Sequence, residues 1–486
     1  MRCFLPHLLL AVVFTILPAT TAHSQTCLVV TPTGSGSKTG ADWNNAYAGL
    51  PATLVRGDIY YLADGTYGQY SFSSASGTGW IEVRKAQTYD HCTNTGWNAS
   101  TMGSSQARFT HSTTGMTPAL NFAIDQVIVN GNGQYTGAGC GGGPSSATDV
   151  TQGPVNPADC GIKTDARTCT STSTNGCDDT TLFTGSADNW KLLYMEWQGL
   201  GNAQQEQYPF NNRTGNNNSA TRLIEHVFQH DFGANILYTV GHRQVDHSYF
   251  WGNQRIEYPS NHGQYSYDGF ENPIVGITEF NNVYRDIQGT AIWGIEDGPQ
   301  VASNIDLYDN VITSTYPTLS WVRLGIQNGS LCCLNGSTCS NIYYVNNTHA
   351  NVYGLRPMPR YQDSGTTTSN VTVENNLWYN AINAGDQINT NGTQDHNSFL
   401  NSGSTICTSG TGNVCTQTAP NPFANMSALD FMLASENADW SNRVSLGSPY
   451  STDAAGDAFS TDRGAYQFGS ATTQVNPPTG LTAAVN

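Results

Sequence analysis

The chain has 486 residues, of which only 11% are charged and 38% hydrophobic, with 36 acidic against 19 basic residues and a formal net charge of −17. Charged residues make up about 25% of an average soluble domain, so Asn, Thr, Ser, Gly and Gln supply the polar surface here, which argues against an all-α protein. The 24 Tyr, 17 Phe and 10 Trp argue equally against disorder, and the acidic balance excludes generic nucleic-acid binding and adsorption to anionic membranes.

Residues 1–25 carry Arg2, an apolar run from Leu8 to Leu17, and Ala22-His23-Ser24 as a small-residue cleavage pattern. That is the layout of a secretory signal, and Pro6, His7 and Pro18 leave too few apolar residues for the roughly 20 that a membrane span needs. No membrane insertion is expected, and the mature protein is expected to be extracellular and monomeric. Of the 12 cysteines, Cys3 leaves with the signal, and export makes disulfides the default for the rest. Proximity pairs Cys27 with Cys92, Cys407 with Cys415, and Cys339 with Cys332 or Cys333. Further bridges are expected within the group Cys140, Cys160, Cys169 and Cys177. One thiol is left over, assigned to the Cys332-Cys333 pair.

The mature start, Gly34 to Gly40, superficially suggests a phosphate loop, but no Gly stands where that motif needs one, and a flexible turn is the simpler reading. Asp58 to Leu62 then reads as a strand, and Asp64-Gly65-Thr66-Tyr67-Gly68 as a turn. Residues 133–190, with Gly139 to Gly143, Pro144, Pro154, Pro157 and four cysteines, read as a disulfide-tied insertion.

From about residue 190 a repeat emerges. Ile277 to Tyr284, Ile305 to Ile312, Ile342 to His349 and Val371 to Trp378 align, each with a β-branched start and an Asn-Asn or Asp-Asn corner. Looser copies run from Val245 to Phe250 and from Asp395 to Phe399. The first corner positions are 247, 281, 309, 346, 375 and 396, so the spacing varies from 21 to 37 residues, which does not suit a propeller blade. A short strand, a corner, a second strand and a loop make one coil that cannot bury its own apolar side, so coils must stack. Asn suits the corner because it tolerates the left-handed conformation and because its amide can donate to the Asn one coil away. The expected fold class is all-β: a parallel β-helix solenoid over 26–470 with long loop insertions, followed by a linker-like tail at 471–486.

Ser248-Tyr249-Phe250, Asn281 to Asp286 and Asn375 to Asn380 resemble the coils of secreted right-handed parallel β-helix, pectate-lyase-like proteins. Gly40 to Tyr67 resembles their opening coil, and Asp462 to Phe468 their closing element. The resemblance covers nearly the whole mature chain. It implies a right-handed helix and a polysaccharide partner, with eliminative cleavage slightly favoured over hydrolysis.

The densest polar stretch is Arg255 to Glu271. Residues at equivalent positions of stacked coils lie about 4.8 Å apart, so Glu296 and Asp297 could neighbour Tyr267 and Asp268, with Asp231 from the coil before. For hydrolysis, Asp268 with Glu296 or Asp297 could form the carboxylate pair. For elimination from a uronate polymer, His262, Tyr265 or Tyr267 could act as base or acid, with Arg285 or Arg323 neutralising the developing charge. Calcium is the cation that clustered carboxylates of this kind would hold. The competing readings make Asp268-Gly269 and Glu296 to Pro299 turns, Tyr265 and Tyr267 packing residues of one strand face, and the whole protein a non-catalytic surface scaffold. Trp293, Trp321, Tyr353, Trp378 and Tyr379 cannot all fit a narrow interior, and those outside could face sugar rings.

Overall fold

The computed structural model describes residues 25–469 apart from 111–117, 135–138, 140–157, 166–180, 184–186, 200–209, 213–217, 231, 233–236, 239–240, 252–264, 269–272, 288–290, 296–299, 315–328, 334–335, 353–364, 382–391, 403–406, 408–409 and 427–428. The described strands form three long sheets of thirteen, twelve and eight members, here called sheets I, II and III. One coil runs Arg243–Asp246 in sheet I, Tyr249–Trp251 in sheet II and Ser266–Tyr267 in sheet III, then returns to sheet I as Ile274–Phe280. Pairing is parallel and in register, so that Ile224, Val245, Glu279, Leu307, Tyr344 and Val373 stand in one row. The protein is a parallel β-helix.

The corner between sheets I and II explains the asparagines, and divides their work between two positions. His247, Asn281, Asp309, Asn346, Asn375 and His396 have φ between 46° and 59°, the left-handed region that Asn, Asp and His enter more cheaply than most residues. The next residue carries the ladder. The Oδ1 atoms of Asn282, Asn310, Asn347, Asn376, Asn397 and Asn413 each accept the backbone N–H of the equivalent residue one coil earlier, at 2.8–3.1 Å. From Asn282 to Asn397 the Nδ2 atoms donate to carbonyls of the preceding coil at 2.7–3.0 Å. Buried backbone groups at the bend are thereby satisfied. A second left-handed position follows five residues later, at Asp286, Asn351, Asn380 and Asn401, where the chain leaves sheet II.

The interior is filled by aligned rows that include Trp190, Trp197, Phe250, Tyr284, Trp293 and Trp378. A second core lies outside sheet II, where Val311, Ala350, Leu377, Tyr379 and Leu400 are covered by Phe423, Phe431, Trp440, Ala465 and Tyr466 of the C-terminal segment. The stretch expected to close the solenoid does so from the side. Buried Arg463 donates to the Asn397 carbonyl at 3.0 Å and the Ser398 hydroxyl at 3.0 Å, and the Ala465 N–H donates to Thr348 Oγ1 at 2.9 Å. The stretch 133–190, expected as an insertion, contributes Ile162–Asp165 to sheet II, Thr181–Phe183 to sheet III and the first residue of Trp190–Leu193 to sheet I. Its Gly139 lies against the outer face of sheet II, with its N–H donating to the His247 carbonyl at 2.7 Å. Disulfides join Cys27 to Cys92, Cys333 to Cys339 and Cys407 to Cys415, and Cys160 is also bridged. Among the described residues no helix is long and apolar enough to cross a membrane.

Candidate functional site

His262, Glu296 and Asp297 lie outside the described residues, as do Asp231, Arg323, Trp321 and Tyr353. Tyr265 and Asp268 stand together, but inside the solenoid rather than on an open face. Tyr265 precedes the strand Ser266–Tyr267, so strand alternation does not extend to it, and its ring packs against Phe250 and Tyr284 with centroids at 4.6 and 4.7 Å. Asp268 accepts from Arg243 Nη1 at 2.9 Å, the Gly241 N–H at 3.0 Å and Ser266 Oγ at 3.1 Å. Arg243 also donates through Nε to Glu279 at 2.7 Å, and Glu279 accepts from the Tyr284 hydroxyl at 2.6 Å and Trp293 Nε1 at 2.8 Å. Burial works against the Arg243 charge, but Asp268 and Glu279 outweigh it and hold the guanidinium protonated. Two carboxylates around one buried arginine, each with further donors, make an interior clamp of the kind that low-dielectric burial requires.

Tyr267 takes the opposite side of its strand, next to Gly294 in sheet III. Arg285 is on the outer face of sheet II, 4.9 Å from the Trp251 ring centroid and 3.2 Å from Asp286. Tyr267 and Arg285 therefore stand on different sheets. Of the large aromatics, Trp293 and Trp378 fill the interior, whereas Tyr379 lies outside sheet II under Phe423.

Further along the outer face of sheet II, Glu196 accepts from Lys163 at 2.7 Å and from Gln106 at 2.7 Å, and lies 3.1 Å from His230 Nε2. Burial alone would raise this carboxyl, but the bond and charge of His230 and the Lys163 ammonium bring it down to about 2. It is a locked anion with little access to solvent.

The outer face of sheet I, beside the Asn corner, is different in kind. Glu225 and Asp246 are register partners on adjacent strands, Arg222–Glu225 and Arg243–Asp246, and each precedes a left-handed corner histidine, His226 and His247. Side chains at these positions point outward because Ile224 and Val245, between them and the strand starts, point inward into the core. Asp246 accepts from Gln244 Nε2 at 2.7 Å and pairs with His247 Nδ1 at 3.0 Å. Asn281 Nδ2 lies 3.1 Å from His247 Nε2 and can only donate, which puts the imidazole proton on Nδ1, facing Asp246. Glu225 is raised, first by burial and then by the Asp246 charge, with His247 and Lys191 opposing. The side chain of Glu225 keeps 34% of its surface and that of His247 27%, so both reach solvent.

Rings hold this group in place. Tyr194 stacks on His226 at 4.6 Å and His226 on His247 at 5.0 Å, while Phe280 closes on His247 edge-on at 6.0 Å. Phe280 in turn stacks on Tyr308 at 5.0 Å. The arrangement offers an acid of raised affinity for its proton beside an imidazole oriented by a carboxylate, on an open face that runs along the solenoid. Sequence reasoning passed over it, taking Asp246-His247 only as a loose copy of the corner. The signal was present as two acid–histidine dipeptides, Glu225-His226 and Asp246-His247, one coil of 21 residues apart.

Among the described residues no group of three or more His, Cys, Asp or Glu side chains is placed to hold a metal ion, so no step through calcium is derived. No family model matches the chain, and no curated protein matches it in sequence. Among solved structures it is similar to the crystal structure of pectate lyase Pel9A, with a TM-score of 0.47 and 13% identity over 92% of this chain and 97% of that one. So distant a likeness says nothing about chemistry.

Proposed function

We propose that this is a secreted β-helix protein that binds and cleaves a polysaccharide by acid–base hydrolysis at Glu225, Asp246 and His247. The observation that carries the reading is the contrast between neighbouring groups: Glu225 is raised and solvent-reachable, whereas Asp246 is buried and pairs with His247 Nδ1 at 3.0 Å. Such a contrast separates a proton donor from a base. Glu225 would protonate the leaving glycosidic oxygen, and His247 Nε2, with the attacking water in place of the Asn281 amide, would take the water's proton while Asp246 holds the Nδ1–H. A polymer suits the face, because beyond the first strands, which Trp43 covers, ten strands from Ile81–Lys85 to Gly392–Thr393 at about 4.8 Å spacing give a length on the order of 45 Å. Export is supported by the signal pattern of residues 1–25 and by the disulfides.

Elimination would need a cation or donor at a uronate carboxylate. Among the described residues the strands of this face carry the acids Glu82, Glu225, Asp246, Asp306 and Glu374, while their cations are engaged, Arg84 with Glu82 at 2.7 Å and Asp90 at 3.0 Å and the Lys191 ammonium over the Trp80 ring, 5.2 Å from its centroid. Hydrolysis of a neutral chain is the chemistry the geometry favours. The rival location is at Tyr267, with His262, Glu296 and Asp297, which lie outside the described residues, as its partners by sequence.

The test is a panel of neutral and uronate polysaccharides, read for new reducing ends and for unsaturated products. Wild-type protein should release reducing ends from a neutral polymer, and Glu225→Gln or Asp246→Asn should lower the rate by at least about a hundredfold. Full activity in both variants, with loss in Glu296→Gln, would move the site to the group expected around Tyr267 and Glu296. Binding without cleavage of any polymer would leave the scaffold reading.

A further inference from the structure

One row on the outer face of sheet I connects the proposed acid–base group to a distant ring. Gln244, Thr278, Asp306 and Tyr343 are register partners on four successive strands. Gln244 donates to Asp246 at 2.7 Å, so the row starts at the site itself. Tyr343 lies three strand spacings away, about 14 Å. It is one of the few large apolar side chains on the described surface, with 39% of its area exposed.

Tyr343 does not stand alone. Tyr450 of the C-terminal segment stacks on one side of it at 5.6 Å and 20°, and meets Tyr308 edge-on at 5.1 Å. Tyr450 is itself fixed: its hydroxyl donates to Asp306 at 3.0 Å, and its carbonyl accepts from Arg443 at 2.6 Å and Asn346 at 3.2 Å. A rigid, backed ring with open surface is a poor way to spend apolar area unless something covers it, and ring faces suit the C–H side of a sugar. The same row holds Asp306, and the chain as a whole is strongly acidic, which disfavours an anionic polymer along it.

We propose that Tyr343, backed by Tyr450, is a distal sugar-stacking platform that sets a minimum chain length for a neutral polysaccharide. This rests on the reading of Glu225 and Asp246 as the place of cleavage. Chains too short to span from Gln244 to Tyr343 bind only at the acid–base group. Longer chains gain the platform.

The experiment uses the full protein and neutral xylo-, manno- and gluco-oligosaccharides from dimers to octamers, with polygalacturonate as the anionic control. Binding is measured by calorimetry in the Glu225→Gln background and cleavage in the active background. Tyr343→Ala should weaken binding of the longest oligosaccharides by about tenfold and leave dimers unchanged, with Tyr343→Trp restoring the dependence on length. KM for long chains should rise with kcat unchanged. Equal affinity of Tyr343→Ala and wild type at every length overturns the platform, as does absence of binding by wild type to every probe. A length effect that depends on Tyr343 without cleavage by any protein upholds the platform and sinks the hydrolytic reading alone.

Discussion

Replacing Asn347 by alanine should unfold the solenoid more easily by a margin large enough to measure directly. The side chain is fully buried. Its Oδ1 accepts from the Asn310 N–H at 3.0 Å and from Asn310 Nδ2 at 3.1 Å, and its Nδ2 donates to the Leu307 carbonyl at 2.9 Å and Asn376 Oδ1 at 3.2 Å. Alanine leaves the Asn310 N–H and the Leu307 carbonyl enclosed without these partners. At about 1–3 kcal/mol for each stranded group, the loss should be roughly 3–5 kcal/mol. Backbone strain does not enter, because the left-handed position is Asn346, one residue earlier. The exposed ladder supplies the control. Asn341 donates to Asn304 at 3.1 Å and accepts from Asn370 at 3.0 Å, and its φ of 53° is one that glycine adopts freely, so Asn341→Gly should stay within about 0.5 kcal/mol of wild type. Urea unfolding followed by tryptophan fluorescence gives both numbers, and amide exchange at Asn310 should speed up in the first variant only. A loss below about 1 kcal/mol for Asn347→Ala, or equal losses in the two variants, would refute the assignment of the corner's stability to the buried ladder.

His349 sits inside sheet II against Trp378, with Nε2 2.6 Å from the Tyr344 hydroxyl, and burial pushes it down to about 3. An unfolded histidine binds a proton near pH 6.5 and this one does not, so stability is intact above that pH and falls as pH drops toward 3, by up to roughly 4–5 kcal/mol. His349→Gln should flatten that part of the curve in melts taken from pH 7 to 4, and an unchanged slope would contradict the neutral, buried state. Gly464 has φ of 94°, and a Cβ there would lie 2.6 Å from Thr348 Oγ1 and 3.0 Å from Leu377 Cβ. Gly464→Ala should loosen the C-terminal segment from sheet II and expose it to protease, whereas Gly447→Ala, whose Cβ meets nothing within 4 Å, should resist like wild type.

What the sequence made legible was whatever repeats. Each coil must bend at the same place, so Asn281-Asn282, Asp309-Asn310, Asn346-Asn347 and Asn375-Asn376 betray the bend even at uneven spacing. Alternation within a strand is equally local, yet it misleads at strand ends. Tyr265 and Tyr267 share a parity in sequence, but only Tyr267 belongs to the strand, and Tyr265 turns into the core. Charge is legible only as a count. Asp268 and Glu279 belong to one interior clamp because Arg243, 25 and 36 residues before them, comes round between them, and no local pattern announces a buried ion pair.

The acid–base group shows where the boundary between the two lies. Glu225 and Asp246 are neighbours because successive coils stack in register, here across 21 residues of chain. Had that coil carried a longer loop, the strands would still pair and the carboxylates would still meet, since register is set by stacking rather than by loop length. What their meeting changes is electrostatic. Burial and then the Asp246 charge one strand spacing away raise Glu225, while His247 and Lys191 oppose. Replacing His247 by asparagine, the residue at the equivalent left-handed positions Asn281, Asn346 and Asn375, would preserve the bend and remove the imidazole. Structure and stability should survive that change while the pH dependence of cleavage shifts, which separates the corner's role in folding from its role in chemistry.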